Sequence, residues 1–324
     1  MRAVVLVGGF GTRLRPLTDD RPMIERVVVK LGAVGVTDAI LSLGYRPDAF
    51  FDAYPDDTLG GVKLHYAVEP EPLDTAGAIR FAAIEAGIDS RFIVVNGDVL
   101  TDLDVAALWA AHTDRGAEGT IALTPVDDPS RYGVVPLAAD GRVEAFIEKP
   151  PPDEAPSNWI NAGTYVLEPS VVERIPAGRR VSIEREIFPA MVTDEALFGV
   201  QSDAYWVDAG TPDAYLRSQL DLVDGTRANE PAVAATADVS GEATVDHSIV
   251  MAGVTVAAGA EVRDSALLPG AVVEAGAVVK GSIVGPGSVI GRGATLADLT
   301  VTGRDTTVEP GTTLSGARIP ESED

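Results

Sequence analysis

The sequence predicts an α/β fold, a mainly parallel sheet covered by helices, followed by a left-handed parallel β-helix. Strand-like and helix-like stretches alternate over residues 1 to about 226, and after Gly225 an aliphatic residue recurs at every fifth or sixth position. The length agrees: 324 residues exceed one ordinary core and suit two domains, 1–226 and 227–324.

Ala3–Val7 is a short, wholly apolar run closed by glycines, the pattern of a strand buried on both faces. Ile24–Val34 repeats its apolar residues at helical spacing, and Ala39–Leu43 and Val62–Ala67 return to strand pattern. Thr75–Ala86 and Val105–Thr113 read as helices, Phe92–Asn96 and Thr120–Thr124 as strands. In such βαβα sheets ligands sit beyond the C-terminal ends of the strands. Pro150–Pro156 is a stiff loop within this half rather than a linker.

The C-terminal texture differs. Val239, Val245, Val250, Val256, Val262, Leu268, Val273, Val279, Val284, Ile290, Leu296, Val308 and Leu314 keep register, with glycine and alanine between them. A coil that stacks one aliphatic residue per side requires that period, and a low-complexity linker would not hold it. Open coil ends and flat faces favour self-association, so a homo-oligomer through the β-helix is expected.

Charge narrows the partners. Acids outnumber bases 49 to 25, for a net charge of −24, and the only lysines are Lys30, Lys63, Lys149 and Lys280. That field disfavours nucleic acid and anionic membranes. Dispersed carboxylates with few lysines suit a surface kept soluble in high salt, a halophilic trait, although an ordinary acidic protein has the same sign. No apolar stretch reaches the roughly 18 residues of a membrane span. The first residues give a strand instead of a secretory signal, and cysteine is absent, so a cytoplasmic location is expected.

The first strand ends in Gly8-Gly9-Phe10-Gly11-Thr12-Arg13-Leu14-Arg15-Pro16-Leu17-Thr18. Glycines let backbone N–H groups approach an anion, and arginine forks match phosphate. The run is neither a dinucleotide fingerprint nor a Walker loop, which needs Gly-Lys-Ser/Thr. Singly, Asp98 after a strand and Asp208 before Gly210 are equally turn caps, and Glu184 is equally a helix N-terminal acid. His65, His112 and His247 lack metal-ligand spacing.

This opening resembles that of the sugar-1-phosphate nucleotidyltransferases, with their Gly-Gly-x-Gly-Thr-Arg-Leu-x-Pro-x-Thr. The likeness continues in order through Pro72–Gly77, Asn96-Gly97-Asp98, Tyr132–Val135, Glu148-Lys149-Pro150, Ile160–Gly163, Ser182–Glu186 and Trp206–Thr211. It implies a Rossmann-like nucleotidyltransferase domain joining a nucleoside triphosphate to a sugar 1-phosphate. Arg13, Lys149 and Asp98 would be catalytic. Leu6, Gly8, Gly9, Gly11, Thr12 and Gly77 would bind the nucleotide, and Gly133, Glu148, Lys149, Asn161 and Glu184 the sugar phosphate. Asp98 and Asp208 would hold Mg²⁺. The Leu-Arg-Pro-Leu-Thr form, the Ser-Ile-Glu run and the C-terminal repeats look most like mannose-1-phosphate guanylyltransferases, with thymidylyl- and uridylyltransferases close behind. An acyltransferase using the repeats is disfavoured, because of the three histidines only His247 lies among them.

One stretch departs from the family. Arg21-Pro22 runs directly into Met23-Ile24, about ten residues short of the resembled motif order, and a phosphate-contacting lysine goes with them. Three accounts fit: Arg15 or Arg21 supplies the charge, the chain is a regulatory homologue that binds sugar nucleotides without turnover, or the polypeptide carries a loop this sequence lacks. The collapse of two family prolines into one favours the last, and an intact mass matching 33.7 kDa would exclude it.

Overall fold

The computed structural model describes residues 1–7, 21–44, 50–51 and 54–320, which fall into two compact units meeting in sequence at Trp206 and Val207. The strands of the first unit are β1 (Arg2–Leu6), β2 (Asp38–Leu43), β3 (Thr58–Leu59), β4 (Val62–Val68), β5 (Phe92–Asn96), β6 (Val99–Thr101), β7 (Gly119–Pro125), β8 (Gly133–Val134), β9 (Ile147–Glu148), β10 (Trp159–Leu167) and β11 (Leu197–Gln201). Its α-helices are α1 (Arg21–Ala33), α2 (Asp74–Glu85), α3 (Val105–Arg115), α4 (Pro169–Arg174) and α5 (Phe188–Thr193).

β1 is central, parallel to β2 on one side and β5 on the other, and β4 continues parallel beyond β2. β10 enters antiparallel between β5 and β7, and β11 closes that edge parallel to β7. Successive residues of β1 serve opposite cores: Val4 joins Ile40, Ile79, Val94, Tyr165 and Phe188, whereas Ala3 and Val5 join Ile24, Val28, Leu41, Ile93 and Leu108. Helices on both faces explain why these strands are continuous apolar runs. α3 shows its local instructions clearly: the Asp104 carboxylate accepts from Ala107 N–H at its start, and Gly116 ends it at φ +58°.

The expected strands and the helices α2 and α3 lie within a few residues of their sequence-based ranges, and α1 starts three residues early at Arg21. Met23 is 4% exposed within α1 and belongs to the interior, so it offers nothing to a phosphate. The longest of the strands the pattern hides is β10, whose pairing with β7 shifts register between Asn161 and Tyr165.

The second unit begins at Val207, earlier than the change of sequence period, and includes α6 (Pro212–Leu220), which packs on the coil strand Ala266–Leu267. Thr211 Oγ1 caps α6 by accepting from Ala214 N–H at 3.3 Å. Beyond it, short strands stack as three five-stranded parallel sheets, the arrangement of the expected β-helix. Thr255 pairs with Val272 and Val272 with Val289, so these coils are 17 residues long, not 18. The shortened corner corrects one expectation. Leu267, not Leu268, pairs with Val250 and Val284 and sits in the stacked core.

That corner turns on left-handed residues, His247 (φ +39°), Asp264 (φ +48°) and Gly281 (φ +49°), each followed by serine. Ser248 and Ser265 form a buried ladder: each hydroxyl donates to the carbonyl two residues back and accepts the N–H of the next serine, from Ser265 to Ser248 and from Ser282 to Ser265, both at 3.1 Å. The ladder satisfies backbone groups that the tight turn removes from the sheets.

Candidate active site

The C-terminal ends of β1, β2, β4 and β5 converge. Leu6 pairs with Ser42 and Asn96, and Gly97 N–H donates to Leu6 O at 2.9 Å. A Cβ on Gly97 would stand 3.0 Å from that oxygen, so glycine lets the turn close and places Asp98 just past β5. Gly8, Gly9, Gly11, Thr12 and Arg13 lie outside the described residues.

Beside these ends runs the loop from Glu69 into α2. Glu69 is 8% exposed and accepts from Ser42 Oγ at 3.0 Å and from Leu73 N–H at 2.9 Å. Gly77 and Ala76 both donate to Val181 O, and Val181 N–H donates to Leu73 O. A Cβ on Gly77 would come within 2.7 Å of Leu73 Cβ, so this glycine secures the fold of its own loop.

The segment reached across that contact carries Glu184. Its Oε2 accepts from Thr75 Oγ1 and from Ser182 Oγ, each at 2.7 Å, and Thr75 Oγ1 in turn accepts from Ile183 N–H. Glu184 lies in a π-helical turn, Ile183–Ile187, whose first residues Ser182 caps through Arg185 N–H. The acid is therefore held from two sides, more firmly than an exposed cap would be.

Asn161 occupies the bulge of β10. Its Nδ2 donates to the hydroxyl of fully buried Tyr165 at 2.9 Å, and its Oδ1 accepts from Gly163 N–H at 3.0 Å. Gly163 has φ +72°, and a Cβ there would meet Asn96 Nδ2 at 2.7 Å. Trp206 Nε1 donates to Ala162 O, fixing the other side of the bulge.

Gly133 pairs with Glu148 in the β8–β9 ladder, and a Cβ on it would strike the Phe146 ring at 2.7 Å. Burial raises the pKa of Glu148, the Glu184 charge raises it further, and Lys149 and Arg185 oppose the shift. Lys149 takes the left-handed region at φ +51°, its Nζ 3.6 Å from Glu148 Oε1 and its side chain 59% exposed. The Tyr165 hydroxyl is pushed up first by burial, then by the charges of Glu184, Glu148 and Asp98. Asn161 is thus in direct contact with Tyr165, and the charges of Glu184, Glu148 and Asp98 all act on its hydroxyl.

Asp208 belongs to the second unit, where its Oδ1 accepts from Gly210 N–H at 2.9 Å. Among the described residues no cluster of three acidic, histidine or cysteine side chains forms a ready-made metal cage. Tyr165 and Glu69 escaped sequence reasoning, whereas Thr75 and Ser182 lie inside the motifs Pro72–Gly77 and Ser182–Glu186 without a role of their own there.

The nucleotidyl transferase family model matches residues 2–225, and a model described as the GMPPB C-terminal domain matches residues 228–323. A Schizosaccharomyces pombe protein named mannose-1-phosphate guanyltransferase is 42% identical over 264 residues, covering 76% of this chain and 72% of its own length. A Mycobacterium tuberculosis mannose-1-phosphate guanylyltransferase is 40% identical over 235 residues, covering 69% of this chain and 65% of its own. Among solved structures, HddC from Yersinia pseudotuberculosis complexed with GMP-PN superposes with a TM-score of 0.55 at 30% identity, over 67% of this chain and 96% of HddC.

Proposed function

The chain belongs to the nucleotidyl transferase family, and from that premise we propose that it joins GTP to mannose 1-phosphate, giving GDP-mannose and pyrophosphate. The carrying observation is the set of fixed side chains in the first unit, Asn161 hydrogen-bonded to Tyr165 and Glu184 held by Thr75 and Ser182. Its acceptors suit the hydroxyls of a sugar, and the names of the relatives supply the mannose and the guanine.

In this reading a sugar-phosphate oxygen attacks the α-phosphorus, the bond to the β-phosphate bridging oxygen breaks, and pyrophosphate leaves. Such a transfer is driven by positioning and charge neutralisation, with no covalent enzyme intermediate. The amides of Gly8, Gly9, Gly11 and Thr12, with Arg13, would hold the leaving pyrophosphate. Leu6 and the loop of Gly77 would hold the nucleoside. Lys149, exposed and only loosely paired with Glu148, would neutralise the sugar phosphate. Asn161 and Glu184 would bind sugar hydroxyls, with Gly133 leaving room for the Phe146 ring beside Glu148.

A divalent ion fits the donor chemistry. Mg²⁺ takes one or two hard carboxylates plus substrate phosphates, not a full protein cage, and Asp98 is such a carboxylate in the first unit, as Asp208 is in the second. When bound, it would offset charge on the α- and β-phosphate oxygens. The cysteine-free composition supports a cytoplasmic enzyme, the acidic surface a salt-adapted one, and the stacked sheets of the second unit an oligomer.

Pyrophosphate release from a panel of triphosphates, offered with mannose or glucose 1-phosphate, tests the reading. GTP with mannose 1-phosphate should be fastest, and preference for dTTP or UTP would overturn the assignment. Binding without release would identify the silent regulatory homologue that the absent lysine also permits. Asp98→Asn should abolish the Mg²⁺-dependent release.

A further inference from the structure

Two segments far apart in sequence are laced into one body beside the site. The lace has six strands: Val181 N–H to Leu73 O, Ala76 N–H and Gly77 N–H to Val181 O, Thr75 Oγ1 to Glu184 Oε2, Ile183 N–H to Thr75 Oγ1, and Ser182 Oγ to Glu184 Oε2. Five of them cross between the loop 73–77 and the segment 181–184, and the sixth braces the acid from its own side. Thr75 is the one side chain that does both jobs, donating to the carboxylate and accepting from the backbone.

We propose that Thr75 is a positioning residue coupling the two substrate pockets, so that filling the nucleobase loop orders Glu184 for the sugar phosphate and the reverse. The inference rests on the functional reading above, which assigns the base to one segment and the sugar to the other. Its physical basis is that neither segment can shift without breaking a charge-assisted hydrogen bond and orphaning a half-buried N–H. A ligand that fixes one segment leaves less disorder for the second ligand to remove, and linkage makes the effect reciprocal.

The test is calorimetric binding of a non-hydrolysable GTP analogue and of mannose 1-phosphate, each alone and each in the presence of the other. Wild type should bind either ligand several-fold tighter when the other is present. Thr75→Val keeps the shape but removes both bonds, and should weaken each ligand by about tenfold and abolish the synergy. Thr75→Ser retains the hydroxyl and should restore it. Ser182→Ala should give a partial loss, and it serves as the deciding variant if Thr75→Val melts before binding can be read.

Wild type binding both ligands independently would overturn the coupling while leaving the functional reading intact. So would Thr75→Val with unchanged synergy, or a weakening confined to one ligand. Wild type binding neither ligand would instead refute the functional reading itself.

Discussion

Gly163→Ala separates two costs that the structure superimposes at the bulge of β10. The first is backbone: φ is +72°, and an L-residue in the left-handed region costs roughly 1–2 kcal/mol. The second is overlap: the new Cβ would lie 2.7 Å from Asn96 Nδ2 and 3.0 Å from Asn96 Cγ. Asn96 can turn its amide away, which costs about 0.5–1.5 kcal/mol for an off-rotamer side chain. The sum is about 2–3 kcal/mol in urea unfolding. Asn96→Ala removes both close atoms and leaves only its Cβ, at 3.2 Å. In that background Gly163→Ala should cost only the backbone share, so a double-mutant cycle should report about 1 kcal/mol of coupling. Because Asn161 Oδ1 accepts from Gly163 N–H, the single variant should also slow pyrophosphate release, by about ten- to a hundredfold for a displaced contact. A stability loss below about 0.5 kcal/mol, or an equal loss in both backgrounds, would refute the account.

Ser265→Ala should cost about 2 kcal/mol, because it orphans the buried N–H of Ser282 and a carbonyl bond to Arg263. Ser282→Ala should cost less, since in the next coil Thr300 N–H turns to Ala297 O; equal losses by urea melt would contradict the ladder. His247 donates between Asp264 at 2.6 Å and Asp224 at 3.5 Å, and the Asp264 hydrogen bond leads in raising its pKa. A raised folded pKa stabilises fully below the unfolded value and the benefit fades as pH rises through the folded value. His247→Gln should therefore lose at most about 1 kcal/mol at acid pH and nothing in alkali, and the opposite slope in thermal melts would exclude the pairing. With a net charge of −24, the melting temperature should rise as KCl increases from about 0.1 to about 2 M, because the screening length falls below charge spacing. A flat or falling curve would remove the salt-adapted reading.

Sequence legibility followed burial. β1, β2 and β5 each carry an unbroken apolar run, Ala3–Leu6, Ala39–Leu41 and Phe92–Val95, because helices cover both faces. β10 does not: its Asn161, Gly163 and Thr164 interrupt the alternation, and the bulge that exposes Asn161 to the site is the same feature that hides the strand. The coil period was legible, but adjacent Leu267 and Leu268 left its phase open at a corner one residue short. Site motifs could be read in order, whereas the bonds that hold them could not. Thr75 and Glu184 meet across 109 residues, and no local pattern reports such a meeting. The register of β10 and the lace to Val181 are properties of tertiary packing, which overrides local preference.

The field at the pocket has a consequence of its own. Glu184, Glu148 and Asp98 all act on Tyr165, while among the described residues Lys149 and Arg185 are the cations acting on Glu148. The chain as a whole repeats that sign at long range. A phosphate monoester that reaches such a site without a divalent partner is repelled on approach, and salt screens the repulsion before it screens close contacts. The KM for mannose 1-phosphate should therefore fall as KCl rises from about 0.05 to about 0.5 M, with kcat little changed, because long-range steering governs encounter more than chemistry. A cradle dominated by cations behaves oppositely, losing affinity as salt competes for its arginines. If KM rises over that range, the acidic field does not govern approach, and cations nearer the substrate outweigh Glu148, Glu184 and Asp98.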